Sequence, residues 1–263
     1  MKKRLKLATR AFGAEPAMPD IAALAAWIEE NRGTAADIIT YLLDQSLAPQ
    51  VAAGILAPCA GGRFYKNRVM ECLLGVEGGK ATDEIYLNSQ AILEDAAKIV
   101  VQKKGAWCCV PAPHLLGITD TYYYDESEWN DAITGTYRTL MRSMRDGGIS
   151  GHVLTCDSLL EPEIISLSQQ KVFFFQPKPD RAGLARLLEH QSQLAVDRSL
   201  LSTVLDLTNE YDIRKIIIID PDQESISQAL SCLDPDRVSA GGYCTDRCEN
   251  YWKNLVETAV YTK

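Results

Sequence analysis

The stretch Ile213-Arg-Lys-Ile-Ile-Ile-Ile-Asp-Pro-Asp222 decides the fold class of this chain. Four consecutive isoleucines are typical of a strand that is buried on both faces, and such strands occur mainly in parallel sheets covered by helices. In parallel α/β sheets, ligands bind outside the carboxyl ends of the strands. Asp220 and Asp222 follow the isoleucines directly, so the sequence predicts a ligand site at that edge of the sheet.

From residue 89 onward, predicted strands alternate with predicted helices. Besides the isoleucine segment, we predict strands at Ala106–Val110, His152–Cys156, Lys171–Phe175 and Arg237–Ala240. The segments between them have helical periodicity, including one long helix at Asp180–Val196. Strands separated by helices need crossover connections. Residues 89–263 are therefore predicted to form an α/β domain, a mostly parallel sheet with helices on both faces.

Residues 1–88 have a different pattern and predict a smaller α+β region. Helical spacing at Asp20–Glu30 and Thr34–Gln45 indicates a helical hairpin, with Thr34 as an N-cap and Gly33 closing the first helix. Arg63–Leu74 lies between glycines and predicts a strand or a pair of strands. The predicted organisation is therefore an N-terminal region of a helical hairpin plus short strands, followed by the α/β domain.

Composition and charge narrow the class of function. The 263 residues carry a net charge of -8 and have a sequence pI near 5.0, which opposes nonspecific binding to nucleic acid. No apolar run approaches the roughly 18 residues that a membrane span needs, and no signal-peptide core is present. Because eight cysteines occur without a secretion signal, we expect a cytoplasmic protein whose cysteines are mostly reduced.

Polar residues that follow parallel strands share one edge of the sheet, and this edge supplies the candidate site. The candidate catalytic residues are His114 as general acid or base, Asp220 as a ligand for metal or substrate hydroxyls, and Cys156 as a thiol. The candidate ligand-binding residues are Asp157, Gln176, Asp222, Gly241 and Gly242. This set suits Mg²⁺ or a polar small molecule.

Two of these assignments have an equally good structural explanation. Asp222 can serve as the N-cap of the helix that follows the isoleucine strand. Gly241 and Gly242 can form a tight turn between a strand and a helix, instead of letting the backbone approach an anion.

Cys244 and Cys248 are spaced so that both thiols can face one metal or one another near the start of a helix. A structural zinc site normally needs four ligands, and no second cysteine pair has matching spacing. The pair therefore indicates a redox role, a partial metal site or two incidental cysteines.

The segments Tyr211–Asp222, Gly241–Cys244 and Tyr251–Glu257 resemble a family of uncharacterised proteins from methanogenic archaea. This resemblance implies a cytoplasmic, anaerobic setting and no particular activity.

Three functions are consistent with these features of the sequence. The first is an enzyme-like site for a small molecule or metal at the carboxyl edge of the sheet. The second is a non-catalytic subunit that docks onto a larger complex through its acidic surface and the aromatic run Tyr122–Tyr124. Formation of an oligomer would also fit this function. The third is a metal or redox sensor built on Cys244 and Cys248.

Overall fold

The secondary structure is given by a computed structural model that describes residues 4–32, 36–246 and 248–262. The strands are β1 (Arg4–Lys6), β2 (Ala8–Ala14), β3 (Cys59–Gly61), β4 (Leu73–Glu77), β5 (Lys80–Leu87), β6 (Trp107–Pro111), β7 (Thr119–Asp120), β8 (His152–Thr155), β9 (Val172–Phe175), β10 (Gln193–Asp197), β11 (Lys215–Ile219), β12 (Val238–Cys244) and β13 (Val260–Thr262). The helices are α1 (Ile21–Glu30), α2 (Ile38–Ala53), α3 (Lys66–Cys72), α4 (Gln90–Gln102), α5 (Glu126–Asp146), α6 (Glu161–Leu167), α7 (Arg181–His190), α8 (Leu201–Leu207), α9 (Gln223–Cys232) and α10 (Cys248–Thr258).

Eight parallel strands follow one another around a ring. One parallel sheet has the order β10-β11-β12-β2 and the other has the order β3-β6-β8-β9. A parallel bridge between Arg10 and Ala57, with the Ala11 N–H donating to the Ala57 carbonyl at 3.0 Å, joins β2 to the segment leading into β3. At least one helix separates each strand of the ring from the next along the chain. This is the topology of a (β/α)₈ barrel, whose active sites lie at the carboxyl ends of the strands.

The remaining contact around the ring, between β9 and β10, is made by a side chain. The described residues form no backbone ladder between these two strands. Instead, the Gln191 side-chain oxygen accepts the Phe174 N–H at 2.9 Å, and its nitrogen donates to the carbonyls of Phe174 and Gln193 at 3.1 and 3.0 Å. The Gln191 side chain thus links β9 to β10 at the position where backbone hydrogen bonds join the other neighbouring strands.

Aromatic rings fill the interior of the barrel. Phe12 of β2 packs against Phe173 and Phe175 of β9, on the opposite side of the ring, with centroids 5.1 and 4.8 Å apart. Gly241 of β12 makes room for this cluster, because a Cβ atom there would lie 2.5 Å from Ile217 and 3.1 Å from Phe12. The helices contact their neighbours around the ring, so they form the outer layer.

A small three-stranded sheet lies outside the barrel ring, in the connections that follow β3 and β6. It has the order β4-β5-β7, with β4 antiparallel and β7 parallel to β5. The short strands β1 and β13 form a separate antiparallel pair.

The α/β class and the parallel strands predicted from the sequence are confirmed. Closure into a ring was not predicted, and three of its strands were missed: β2 and β3 were not recognised, and most of β10 lies within what was predicted as the end of the helix Asp180–Val196. The strand prediction at Arg63–Leu74 was wrong, because most of this segment is a short 3₁₀ turn and α3.

The predicted division at residue 88 does not coincide with a division of the barrel. β2 pairs with β12 and β3 pairs with β6, so strands from both sides of residue 88 share the same sheets. The predicted N-cap Thr34 and the predicted closing residue Gly33 lie outside the described residues; α2 is capped by Asp37, whose carboxylate accepts the Thr40 N–H at 2.8 Å. None of the described helices has the length and apolar character needed to cross a membrane.

The link between β9 and β10 yields a stability prediction. Gln191→Ala removes three hydrogen bonds, and at roughly 1 kcal/mol each we expect the free energy of unfolding to fall by about 2–3 kcal/mol. Urea unfolding of the variant and wild type measures this difference. Gln228→Ala, at an exposed position of α9, is the matched control and should change stability little. An unchanged midpoint for Gln191→Ala would show that the strands hold together without this side chain.

The buried His152 yields a prediction about acid stability. Neither of its ring nitrogens has a hydrogen-bond partner among the described residues, and burial, aided by nearby Arg145, lowers its pKa to about 3. Between pH 6.5 and 3 the unfolded chain therefore binds a proton that the folded chain does not. Relative to His152→Leu, the wild type should lose up to about 1.4 kcal/mol of stability per pH unit as the pH falls through this window. Chemical denaturation at several pH values tests this, with exposed His190→Gln as the control; parallel pH profiles of wild type and His152→Leu would contradict it.

Candidate functional site at the carboxyl mouth of the barrel

Every strand of the barrel ring places a polar side chain at or just beyond its carboxyl end. We call these eight residues the mouth residues. In ring order from β2 to β12 they are Glu15, Arg63, His114, Asp157, Gln176, Asp197, Asp220 and Tyr243. Four of the eight are carboxylates, so the mouth favours cationic groups, while Arg63 and His114 can supply positive charge.

His114 is held between two carboxylates. Its Nδ1 lies 2.8 Å from Glu163 and its Nε2 lies 2.9 Å from Asp157, and its backbone N–H donates to Glu163 at 2.7 Å. Burial disfavours the charged ring, but the hydrogen bonds and charges of Glu163 and Asp157 outweigh this and raise the pKa of His114 above its usual 6.5. The ring is therefore suited to carry a proton near neutral pH, which is what a general acid requires.

Glu163 gives this arrangement its rigidity. It comes from α6, behind the mouth, and its side chain is only 6% exposed. By engaging both the ring and the backbone of His114, it fixes the orientation of the imidazole. The Asp157 side chain is 62% exposed, so the Nε2 side of the ring faces the open part of the site.

On the opposite side of the mouth, Tyr243 and Glu15 form a second cluster. The Tyr243 hydroxyl donates to the Glu15 carboxylate, and the Arg63 backbone N–H donates to the same oxygen at 2.6 Å. Burial and the neighbouring carboxylate raise the pKa of Tyr243, so its hydroxyl remains a donor at neutral pH. Its ring packs 5.7 Å from that of Phe175, which connects the polar mouth to the aromatic interior.

Asp220 is held in an unusual backbone conformation. Its φ is 48°, in the left-handed region that aspartate tolerates better than most residues, and its N–H donates to the Gly241 carbonyl at 3.0 Å. Its carboxylate accepts a hydrogen bond from Tyr251 of α10. Partial burial raises the pKa of Asp220 and the nearby Asp197 charge adds to this, against the opposing effect of Tyr251. Such backbone conformations cluster at functional sites.

Asp222 is the N-cap residue of α9. This is the alternative to ligand binding that its position in the sequence suggested. Its carboxylate accepts the Ser225 N–H at 2.8 Å and its own N–H donates to the Ser225 hydroxyl, which is a capping box at the start of α9. It also pairs with Arg198 at 2.9 Å. These contacts account for Asp222 without a ligand.

Cys156 and Gln176 flank Asp157. The Cys156 side chain is buried, and burial raises its pKa to about 12, so it is a neutral thiol at physiological pH. The Gln176 side-chain nitrogen donates to the Asp157 carbonyl at 3.0 Å. Its side-chain oxygen is buried, and no described residue forms a hydrogen bond with it.

Gly241 and Gly242 lie inside β12, which continues to Cys244, so the predicted turn at this point was wrong. Both are buried, and protein atoms fill the space beside each Cα. A Cβ on Gly242 would lie 3.0 Å from the Tyr251 ring. The two glycines therefore serve close packing, and this geometry offers no opening for an anion.

Cys244 and Cys248 face one another and form a disulfide between β12 and α10. Within the described ranges, no group of three His, Cys, Asp or Glu side chains is placed to hold a metal ion. A metal at this pair remains a prediction that would require the reduced thiols.

The aromatic run Tyr122–Tyr124 lies beside the small sheet. The Asp120 carboxylate accepts the N–H groups of all three tyrosines at 2.9–3.0 Å, which fixes the turn. The Tyr123 hydroxyl accepts the Ile85 N–H at 2.8 Å, whereas Tyr124 is 86% exposed. The run thus has one anchored ring and one ring presented to solvent.

Four of the eight mouth residues were predicted from the sequence, and the other four were missed. Glu15 was missed because β2 was not recognised, and Asp197 because β10 was taken as helix. Tyr243 was placed beyond the end of its strand, and Arg63 was placed within a predicted strand. Glu163 and Tyr251 come from helices, and no motif marked them.

Comparisons with known proteins agree with this fold. No family model matches the chain, and no curated protein matches it. The chain is similar to a solved structure from Listeria monocytogenes described as a "Putative Vitamin-B12 Independent Methionine Synthase", with 16% identity, a TM-score of 0.66 and coverage of 97% of this chain and 98% of that one. It is also similar to a B12-independent methionine synthase from Shewanella sp. W3-18-1, solved in complex with selenomethionine, with 12% identity, a TM-score of 0.63 and 97% coverage of both chains. At these identities the likeness shows a shared fold.

The raised pKa of His114 yields a prediction about pH. Because the folded pKa lies above the unfolded value of 6.5, the contribution of this ion cluster to stability is fully present below pH 6.5. It is lost as the pH rises through the folded pKa. In NMR titrations we expect the His114 ring to titrate above 6.5, and Glu163→Gln to lower its pKa. The His114 signal is identified as the one that is absent from the spectrum of His114→Gln. A His114 pKa at or below 6.5 in the wild type would show that Glu163 and Asp157 do not stabilise the charged ring.

Proposed function

We propose that the protein binds and chemically transforms a small molecule at the carboxyl mouth of its barrel. The observation that carries this proposal is the convergence of a polar side chain from each of the eight strands above an aromatic interior. A polar rim over an apolar floor is the usual composition of a small-molecule site. A stability role alone would not explain why the polar residues gather at this end.

The charges of the mouth favour a ligand that carries both an ammonium and a carboxylate group. Glu15, Asp197 and Asp220 offer carboxylates to an ammonium group, and the Arg63 guanidinium can pair with a carboxylate. The similar Shewanella structure holds selenomethionine, an amino acid of this kind. L-Methionine is therefore the first probe to test.

His114 is the residue we assign to proton transfer. Glu163 fixes Nδ1, so the Nε2 atom is the position from which a proton can pass to a bound ligand. Asp157 holds that proton until the ligand arrives. Tyr243 and Tyr251, as neutral phenols, orient the carboxylates of Glu15 and Asp220.

A second function, docking onto a protein partner, is favoured by one observation. Tyr124 is 86% exposed and Tyr122 is 44% exposed on a turn organised by Asp120. Exposed aromatic residues are enriched at interfaces. Co-elution of a partner that is lost in Tyr124→Ala would support this alternative.

The small-molecule proposal predicts a specific loss of binding. We expect Asp220→Asn to weaken L-methionine binding by about 10- to 100-fold, because a hydrogen bond to a charged group contributes about 1.5–3 kcal/mol. Isothermal titration calorimetry with oxidised protein measures the affinity, and circular dichroism checks the fold. Asp206→Asn, at an exposed position on α8, is the matched control. Equal affinities of the wild type and Asp220→Asn for L-methionine would show that Asp220 does not contribute to ligand binding.

A further inference from the structure

The Cys244–Cys248 disulfide lies beside the mouth and joins two elements that build it. Cys244 is the last residue of β12 and Cys248 is the first residue of α10. Cys244 is 1% exposed and Cys248 is 8% exposed, so the disulfide bond is nearly buried. Only three residues of chain separate the two cysteines.

The disulfide adjoins the contacts that position two mouth carboxylates. The Cys244 carbonyl accepts the Glu15 N–H at 2.7 Å, and the preceding Tyr243 donates to the Glu15 side chain. Tyr251 follows Cys248 by one helical turn and donates to Asp220. The S–S bond therefore ties together the strand end that holds Glu15 and the helix start that holds Asp220.

A cavity leads to the Cys248 end of the disulfide. Its volume is about 470 Å³, in the range of small-molecule sites. It is lined by Cys248, Asp246, Tyr41, Gln45 and the segment Pro16–Pro19. The segment Pro16–Pro19 directly follows Glu15, so the cavity adjoins the mouth.

We propose that this cavity admits a small thiol to the Cys244–Cys248 disulfide and that the redox state of the pair controls the mouth. A thiolate attacks Cys248 Sγ, the S–S bond breaks, and Cys244 leaves as a thiolate that takes up a proton. A second thiol attacks the mixed disulfide and releases Cys248. Two small thiols are oxidised to one small disulfide, and the protein gains two electrons and two protons.

The position of Cys248 favours this reaction. It begins an 11-residue helix, and a helix N-terminus stabilises a thiolate. Reduction removes the covalent tie between β12 and α10, while the buried Trp252 and Leu255 keep the rest of the helix docked. The change is thus confined to the first turn of α10, with its contact to Asp220, and to the end of β12, where the Cys244 carbonyl accepts the Glu15 N–H.

Reduced glutathione is the probe for the test. The full-length wild type, purified oxidised, is incubated with glutathione, alkylated without unfolding and mapped by peptide mass spectrometry. Hydrogen–deuterium exchange is measured on the same samples. We expect Cys244 and Cys248 to become alkylated together, and the amides of Glu15 and of the first turn of α10 to exchange about tenfold faster, as expected for a local opening.

Two variants complete the experiment. Cys248→Ser should show the fast exchange without any thiol, and Cys232→Ser, which removes the exposed free cysteine, should respond to glutathione as the wild type does. A pair that stays oxidised in glutathione, or one that is reduced while exchange at Glu15 and α10 is unchanged, would overturn the proposal.

The control of ligand binding rests on the proposed function, but these readouts do not. If L-methionine fails to bind in either redox state while exchange responds to glutathione, the ligand assignment fails and the switch stands. If methionine binds equally to the oxidised and reduced protein, control of the mouth by the disulfide is wrong and the ligand site stands.

Discussion

The pairing of β2 with β12 is the constraint on which the rest of the structure depends. It joins the first strand of the ring to the last, so that residues more than 220 positions apart in sequence meet, as in the pair Thr9 and Ala240. Because all the strands are parallel, closing the ring gathers every carboxyl end at one rim. Glu15, which follows the first strand, thereby meets Tyr243 at the end of the last. The candidate site exists only because the ring closes.

Within that rim, neutral phenols and charged carboxylates are paired. Tyr243 and Tyr251 donate to Glu15 and Asp220, and burial keeps both phenols protonated by raising their pKa values. For His114 the charged form is favoured instead, because the two neighbouring carboxylates outweigh the effect of burial and raise the pKa of the ring. The protein thus holds donors and acceptors in fixed positions, which is the preorganisation that a binding or catalytic site requires. The disulfide next to Tyr243 extends this fixed framework to α10.

The parts of the fold that could be predicted from sequence are those whose signals are local. The isoleucines of β11 and the alternating pattern after residue 89 predicted parallel strands, and Asp220, His114, Asp157 and Gln176 followed as residues at strand ends. β2 carried no such signal, because Ala8–Ala14 is rich in alanine and contains a single β-branched residue. β10 was hidden because Leu194, Ala195 and Val196 continue the apolar pattern of α7. Ring closure and the partners Glu163 and Tyr251 depend on contacts between distant segments, which a local pattern does not encode.

The most direct test of the proposed ligand site is anomalous diffraction from crystals soaked in L-selenomethionine, because the selenium signal locates the ligand independently of any assumption about the site. If the ligand binds at the carboxyl mouth, a selenium peak will lie above Phe175, within the ring formed by the eight mouth residues. A peak elsewhere would contradict binding at the mouth, for example in the groove of about 700 Å³ between α1, α2 and α4. The absence of any peak at saturating ligand would contradict the proposed ligand class.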